Sequence, residues 1–213
     1  MIVAGVDGCP RGWVAVLVDE RGFVDARLFP DAARLAAGLP EPEVICVDMP
    51  IGLPHTGPRR ADEHARALVG SSLFMMFPRD VHLAASHVEA VERAREHSGK
   101  AITLQAFRLR AKLLDLELHL DPRMVETHPE LAFLAMKGER PPSKHTWNGL
   151  NERRTLLAQE GIELPHPLAQ GDDVPAADVV DAAAAAWSAR RVARGDYLVL
   201  PPDPADGEPR IVF

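Results

Sequence analysis

Residues 1–19 read MIVAGVDGCPRGWVAVLVD. The apolar run Ile2–Val6 delivers one aspartate, Asp7, into the turn Gly8-Cys9-Pro10-Arg11-Gly12, and apolar residues resume at Trp13. Val14, Val16 and Val18 alternate beyond it, so a hairpin is predicted. Glu20-Arg21-Gly22 is the next turn and Phe23–Phe29 the third strand, making three antiparallel strands in succession. DAARLAAGL (31–39) predicts a short helix with Asp31 near its cap. EVICVDMPIGLP (43–54) then repeats the opening pattern. Val44–Val47 is a continuous apolar run, as expected of a strand covered on both faces. It ends in Asp48, followed by Pro50 and Gly52.

From 58 to 121 the spacing becomes helical. RRADEHARALVG (59–70) forms one helix, and HVEAVERAREHSGK (87–100) another, with Val88 and Val91 on one side. Residues 102–120 predict a single long amphipathic helix with Leu104, Phe107, Leu114 and Leu118 near one face. SSLFMMFPRD (71–80) is a packed loop. A short strand, Met124–Glu126, precedes His128-Pro129, and PELAFLAMKG (129–138) is helical. A further helix runs from near Asn148 to Gly161. VPAADVVDAAAAAWSARRVARG (174–195) is the closing helix, with Pro175 in its first turn, arginines in its last and Gly195 stopping it. DYLVL (196–200) and RIVF (210–213) pair as a terminal hairpin. This order implies an α/β fold: one domain, 1–213, with a mixed β-sheet, flanking helices and a helical insertion at 58–121.

Composition narrows the function. The chain has 213 residues, 46% hydrophobic and 26% charged, enough for a substantial core. No apolar run approaches the ~20 residues that span a bilayer. No basic leader precedes an apolar stretch, so no signal peptide is expected, and two cysteines without a disulfide framework point to a reducing cytoplasm. Cys9 and Cys46 have neither disulfide-framework nor metal-knuckle spacing and read as small buried residues. The net charge of −7 counts against a large duplex-binding surface. It allows a small nucleic-acid or nucleotide site held through cations. Gly5, Gly8 and Gly12 do not form a phosphate-loop spacing. Nothing near Cys9 supplies an activating histidine.

What remains is a set of acids at the ends of elements: Asp7, Asp48, Glu126, and the pair Asp178 and Asp181. The last two lie three apart and share one helical face. If the first and fourth strands are neighbours, Asp7 and Asp48 emerge side by side and the closing helix can bring Asp178 or Asp181 against them. Clustered carboxylates repel, and Mg2+ or Mn2+ is the usual compensation. Two such ions can activate a water and stabilise the leaving oxygen of a phosphodiester.

Four of these stretches in this order, GVDGCPRGW (5–13), ICVDMPIGLP (45–54), VETHPE (125–130) and AADVVDAAAAAW (176–187), resemble the DUF429 family. That family is described as predicted nuclease-like proteins with a ribonuclease H-like fold. The resemblance implies a metal site of Asp7, Asp48 and Asp178 or Asp181, with Glu126 as a fourth catalytic acid. It also matches Ser143-Lys144 and Arg153 to a family Ser-Lys pair and a downstream arginine, positions that would hold phosphate oxygens. Arg59, Arg60 and Asp62 open the helical block, and Gln105, Arg108 and Lys112 lie along its long helix. Arg59 and Arg11 are further substrate-binding candidates, Arg11 facing either substrate or solvent. His128 reads as an orienting hydrogen-bonder or a base, and Glu130 as a helix-start residue. The expected activity is a Mg2+- or Mn2+-dependent phosphodiester hydrolase, a nuclease acting on nucleic acid or nucleotide. The alternatives are a non-catalytic binding or assembly module and, less favoured because the chain is short and carries one set of motifs, an ATP-dependent phosphotransferase. Homo-oligomerisation is left open.

Overall fold

The computed structural model of the protein describes residues 1–169 and 171–213. Strands β1 (Ile2–Cys9), β2 (Gly12–Asp19) and β3 (Gly22–Phe29) form the antiparallel succession. Gly12 closes the first hairpin at φ 130°. A Cβ there would also lie 2.0 Å from the Phe29 carbonyl oxygen, so only glycine fits. Helix α1 (Ala32–Gly38) is capped by the Asp31 carboxylate, which accepts from the Arg34 amide. Strand β4 (Ile45–Asp48) then returns parallel to β1, and β5 (Met124–Glu126) lies parallel to β4. The sheet order is β3-β2-β1-β4-β5. The fold is therefore mixed α/β with a five-stranded sheet and flanking helices.

The block between β4 and β5 holds α2 (Arg60–Val69), α3 (Arg79–His82), α4 (His87–Ser98), α5 (Leu104–Arg108) and α6 (Arg110–Leu118). The single long helix expected over 102–120 is thus two, joined at Leu109. They serve different cores. Phe107 packs among Val81, Ala84, Ala90, Ala94 and Ile102, while Leu113 and Leu116 pack beneath the sheet. Leu104 and Leu118, expected on the buried face, are exposed. Likewise α4 buries Ala90 and Ala94 and leaves Val88 exposed. Val91, half-buried, packs against the same core as these alanines. Among the described residues no helix is long and apolar enough to cross a membrane.

After β5 come α7 (Pro129–Lys137), α8 (Trp147–Gln159) and α9 (Ala176–Arg194). The terminal hairpin is two short strands, β6 (Val199–Leu200) and β7 (Ile211–Val212). The sheet separates two cores by the period of two along its strands. Val3, Cys9, Val14, Val16 and Cys46 face α9, whereas Ala4, Val6, Trp13, Ile45 and Val47 face α1 and α6. Cys9 and Cys46 are free and buried on the α9 face.

Helix α9 meets the sheet backbone to backbone at Gly5. A Cβ on it would meet the Ala186 amide nitrogen at 1.9 Å and the Ala182 carbonyl oxygen at 2.2 Å. Glycine on the strand and the run Ala182–Ala186 on the helix are therefore one device. Together they let α9 lie with its backbone on β1, in a fully buried seam. That seam fixes which residue of α9 faces the end of β1.

Candidate metal centre

Asp7 and Asp48 are direct partners in the parallel β1–β4 register. Asp7 follows Val3 and Gly5 on the α9 face, and Asp48 follows Cys46 on that same face. Period two alone therefore sends both carboxylates to one side, at the strand ends where the turns begin. The α9 seam supplies the third acid. Asp181 immediately precedes Ala182, the residue seated over Gly5. Carboxylate oxygens of Asp7, Asp48 and Asp181 all lie within 4.8 Å of one another. Asp178, one turn earlier, is half-buried and lines the same cavity without joining the three.

Two of the three are buried, Asp181 1% exposed and Asp7 8%, and Asp48 is half-buried beside them. Burial, then Asp48, Asp181 and Asp178, push the Asp7 carboxyl well above the usual carboxylate range. Burial, followed by Asp181, lifts Asp48 to about 8. Burial also raises Asp181 and Asp178. The Lys144 ammonium donates to Asp181 Oδ2. Burial pulls Lys144 down, but Asp181, with Asp7 and Asp48, outweighs it and holds the ammonium above its usual value. Asp181 Oδ1 is buried and has no hydrogen-bond partner. Three carboxylates facing one ammonium leave two negative charges uncompensated when ionised. The donor set is all oxygen, and one oxygen is orphaned. Those features suit a hard divalent cation, so the cluster could hold one.

Glu126 takes a different place. In β5 it pairs with Val47, a residue facing α1 and α6, while its neighbour Val125 packs on the α9 side. One residue of register thus sends Glu126 away from the three aspartates. Its Oε2 accepts from the Ile51 amide at 2.7 Å and from Arg59, and Arg59 lies 3.5 Å from Asp62. Burial lifts Glu126 to about 7 against the pull of Arg59. Arg59 is 3% exposed and engaged with these acids, so the structure gives it no open face for a substrate.

The acids line a cavity of about 620 Å³. Its far wall comes from the segment between α2 and α3 (Ser71–Phe74 and Met76), from Gln105, Leu109 and Lys112, and from the 140–145 loop. Gly8 makes room for Lys112: a Cβ there would lie 2.9 Å from its Cδ. The Lys112 ammonium donates to the Gly12 carbonyl. Arg153 also lines the cavity but is spoken for, donating to both Glu130 oxygens at 2.7 and 2.8 Å. His128 caps α7 through Nδ1, which accepts from the Glu130 amide, and burial lowers its pKa. Ser143 lines the cavity. Arg11 pairs with Asp173 in the open, and Arg60 with Asp203 and Glu208. Arg108 is exposed. None of these three lines the cavity. Ser71, Ser72 and Arg140 do, though no sequence pattern marks them, because separate loops bring them in.

The DUF429 family, described as a protein of unknown function, matches residues 5–206, and the chain belongs to it. No curated protein and no solved structure matches the chain.

Proposed function

We propose that this protein is a divalent-metal-dependent phosphodiester hydrolase of ribonuclease H-like fold, acting on nucleic acid or nucleotide. The observation that carries the reading is the convergence of Asp7, Asp48 and Asp181 from two adjacent parallel strands and the closing helix. The ribonuclease H-like reading expects its acids on those same three elements. Asp7, Asp48 and Asp181 would hold Mg2+ or Mn2+, with Asp178 at the edge of the group. When bound, such an ion supplies a nucleophilic water at neutral pH and neutralises charge on the phosphoryl group.

The chain's own residues account for the remaining needs. Lys144 and Lys112 present positive charge along the cavity wall, where phosphate oxygens would be steadied. Arg153 donates from Nη2 to both Glu130 oxygens and from Nη1 to the Pro142 carbonyl, which braces the loop that carries Lys144. The Glu126–Arg59–Asp62 network fixes the turn after β4 through the Ile51 amide, and so the position of Asp48. The buried floor shields Asp7 and Asp181 from bulk water, which strengthens the charge interactions there.

The test is hydrolysis of single-stranded RNA, single-stranded DNA, hybrid duplex and nucleotides with Mn2+ or Mg2+, comparing wild type with Asp48→Asn. Metal-dependent product that disappears in the variant supports the reading. A Mn2+-induced rise in melting temperature without turnover of any substrate would favour the binding-module alternative. Product formation that consumes ATP would favour a phosphotransferase.

A further inference from the structure

We infer that Lys144 is an internal counter-cation of the carboxylate cluster, occupying Asp181 until a divalent ion displaces it, so that it sets metal affinity by competition. The inference rests on the proposed metal site. Three observations carry it. The Lys144 ammonium donates to Asp181 Oδ2, one oxygen of the group that brings three acids within 4.8 Å. The other oxygen of that carboxylate, Oδ1, is buried without a partner, so the lysine satisfies only half of it. The lysine itself is held by its loop. Thr146 Oγ1 donates to the Ser143 carbonyl at 2.8 Å, Arg153 donates to the Pro142 carbonyl, and Gly149 lets helix α8 lie directly against both carbonyls.

The backbone on either side of Lys144 is thus anchored, and only its side chain is free to leave. Its ammonium and a divalent ion seek the same carboxylate, and like charges close together in a buried site exclude each other. With all three acids ionised, one ammonium neutralises one of three charges; a divalent ion neutralises two. Displacement therefore improves the charge balance of the cluster and releases an ammonium into a cavity that borders it. Lys144 would then be a positioning residue that passes from acid to phosphate as the site fills.

The sign of one measurement separates this role from a scaffolding one. Lys144→Met removes the competitor, so Mn2+ should bind roughly 10- to 100-fold tighter by calorimetric titration at pH 8, the range expected for one lost charge-assisted hydrogen bond. Lys144→Arg keeps the charge and should bind like wild type. A residue that merely holds the loop would give the opposite result, weaker binding in Lys144→Met. If that variant does not fold, nitrogen-labelled lysine side chains in the wild-type protein read the same event. The Lys144 ammonium should be slow to exchange without metal and fast at saturating Mg2+. Equal or weaker Mn2+ binding in Lys144→Met, or a Lys144 signal that Mg2+ leaves unchanged, overturns the inference and leaves the metal site standing. No Mn2+ binding by either protein overturns the metal site as well.

Discussion

Gly5→Ala is the smallest change that should dismantle the site from outside it. The added Cβ would sit 1.9 Å from the Ala186 nitrogen and 2.5 Å from the Ala185 carbonyl carbon, both backbone atoms. No rotamer relieves that contact. To restore an ordinary 3.4 Å separation, α9 must retreat from β1 by about 1.5 Å. Overpacking of a buried seam costs roughly 1–3 kcal/mol when side chains can adjust. Here two backbones meet, so about 3 kcal/mol is the lower expectation. At ~2–4 °C per kcal/mol for a chain of this size, the melting temperature should fall by about 6–12 °C. The same retreat carries Asp181 away from Asp7 and Asp48, so the Mn2+-induced thermal shift should shrink even where the variant remains folded. Differential scanning calorimetry with and without Mn2+ measures both. A melting temperature within a degree of wild type, with an intact Mn2+ response, would refute the claim that the Gly5–Ala182 seam positions the acids.

Other perturbations test the electrostatics. Asp7 and Asp48 hold protons in the folded state that they lose when unfolded, because their folded pKa values are raised. The metal-free protein should therefore be most stable in mild acid and lose stability as pH rises from about 4 toward the value near 8 reached by Asp48. Melting curves in EDTA across that range should slope downward, and Asp48→Asn should flatten them; a flat wild-type profile would contradict the burial of like charges. Mn2+ should stabilise more at pH 8 than at pH 5, since the acids must be ionised to bind it. Asp7→Asn and Asp181→Asn should each abolish most of the Mn2+ thermal shift. Glu126→Gln should instead lower stability by about 3 kcal/mol by weakening the hold on buried Arg59, while the Mn2+ shift persists. Loss of that shift in Glu126→Gln, with stability unchanged, would make Glu126 a ligand after all.

The contrast between Asp48 and Glu126 shows where a sequence stops being readable. Both acids end an apolar strand, and both looked alike for that reason. Asp48 could be placed because β1 and β4 repeat one pattern, and parallel partners at equal offsets share a face. Glu126 ends a strand of only three residues, whose face depends on a register with β4 that no local period specifies. The cavity wall was opaque for a related reason. Ser71, Ser72 and Arg140 come from two separate segments, one between α2 and α3 and one after α7, and their meeting depends on packing between them. Residues 102–120 show the same limit: their apolar spacing is helical, but two separate cores divide the helix at Leu109.

The choice between Asp178 and Asp181 is the clearest case of packing deciding chemistry. The two lie on one helical face, and spacing alone cannot separate them. The alanines that follow do. Ala182, Ala185 and Ala186 surround the Cβ position that Gly5 leaves vacant, which seats the helix turn beginning at Asp181 directly over β1. Asp7 lies two residues along that strand, on the same face. Asp181 therefore meets Asp7 at the strand end, and Asp178, a turn nearer the helix start, reaches only the rim. Asp181→Asn, with Asp178 retained, should abolish most Mn2+ binding, whereas Asp178→Asn alone should leave most of it. A Mn2+ thermal shift that survives Asp181→Asn and vanishes in Asp178→Asn would reverse the assignment and, with it, the role given to the glycine–alanine seam.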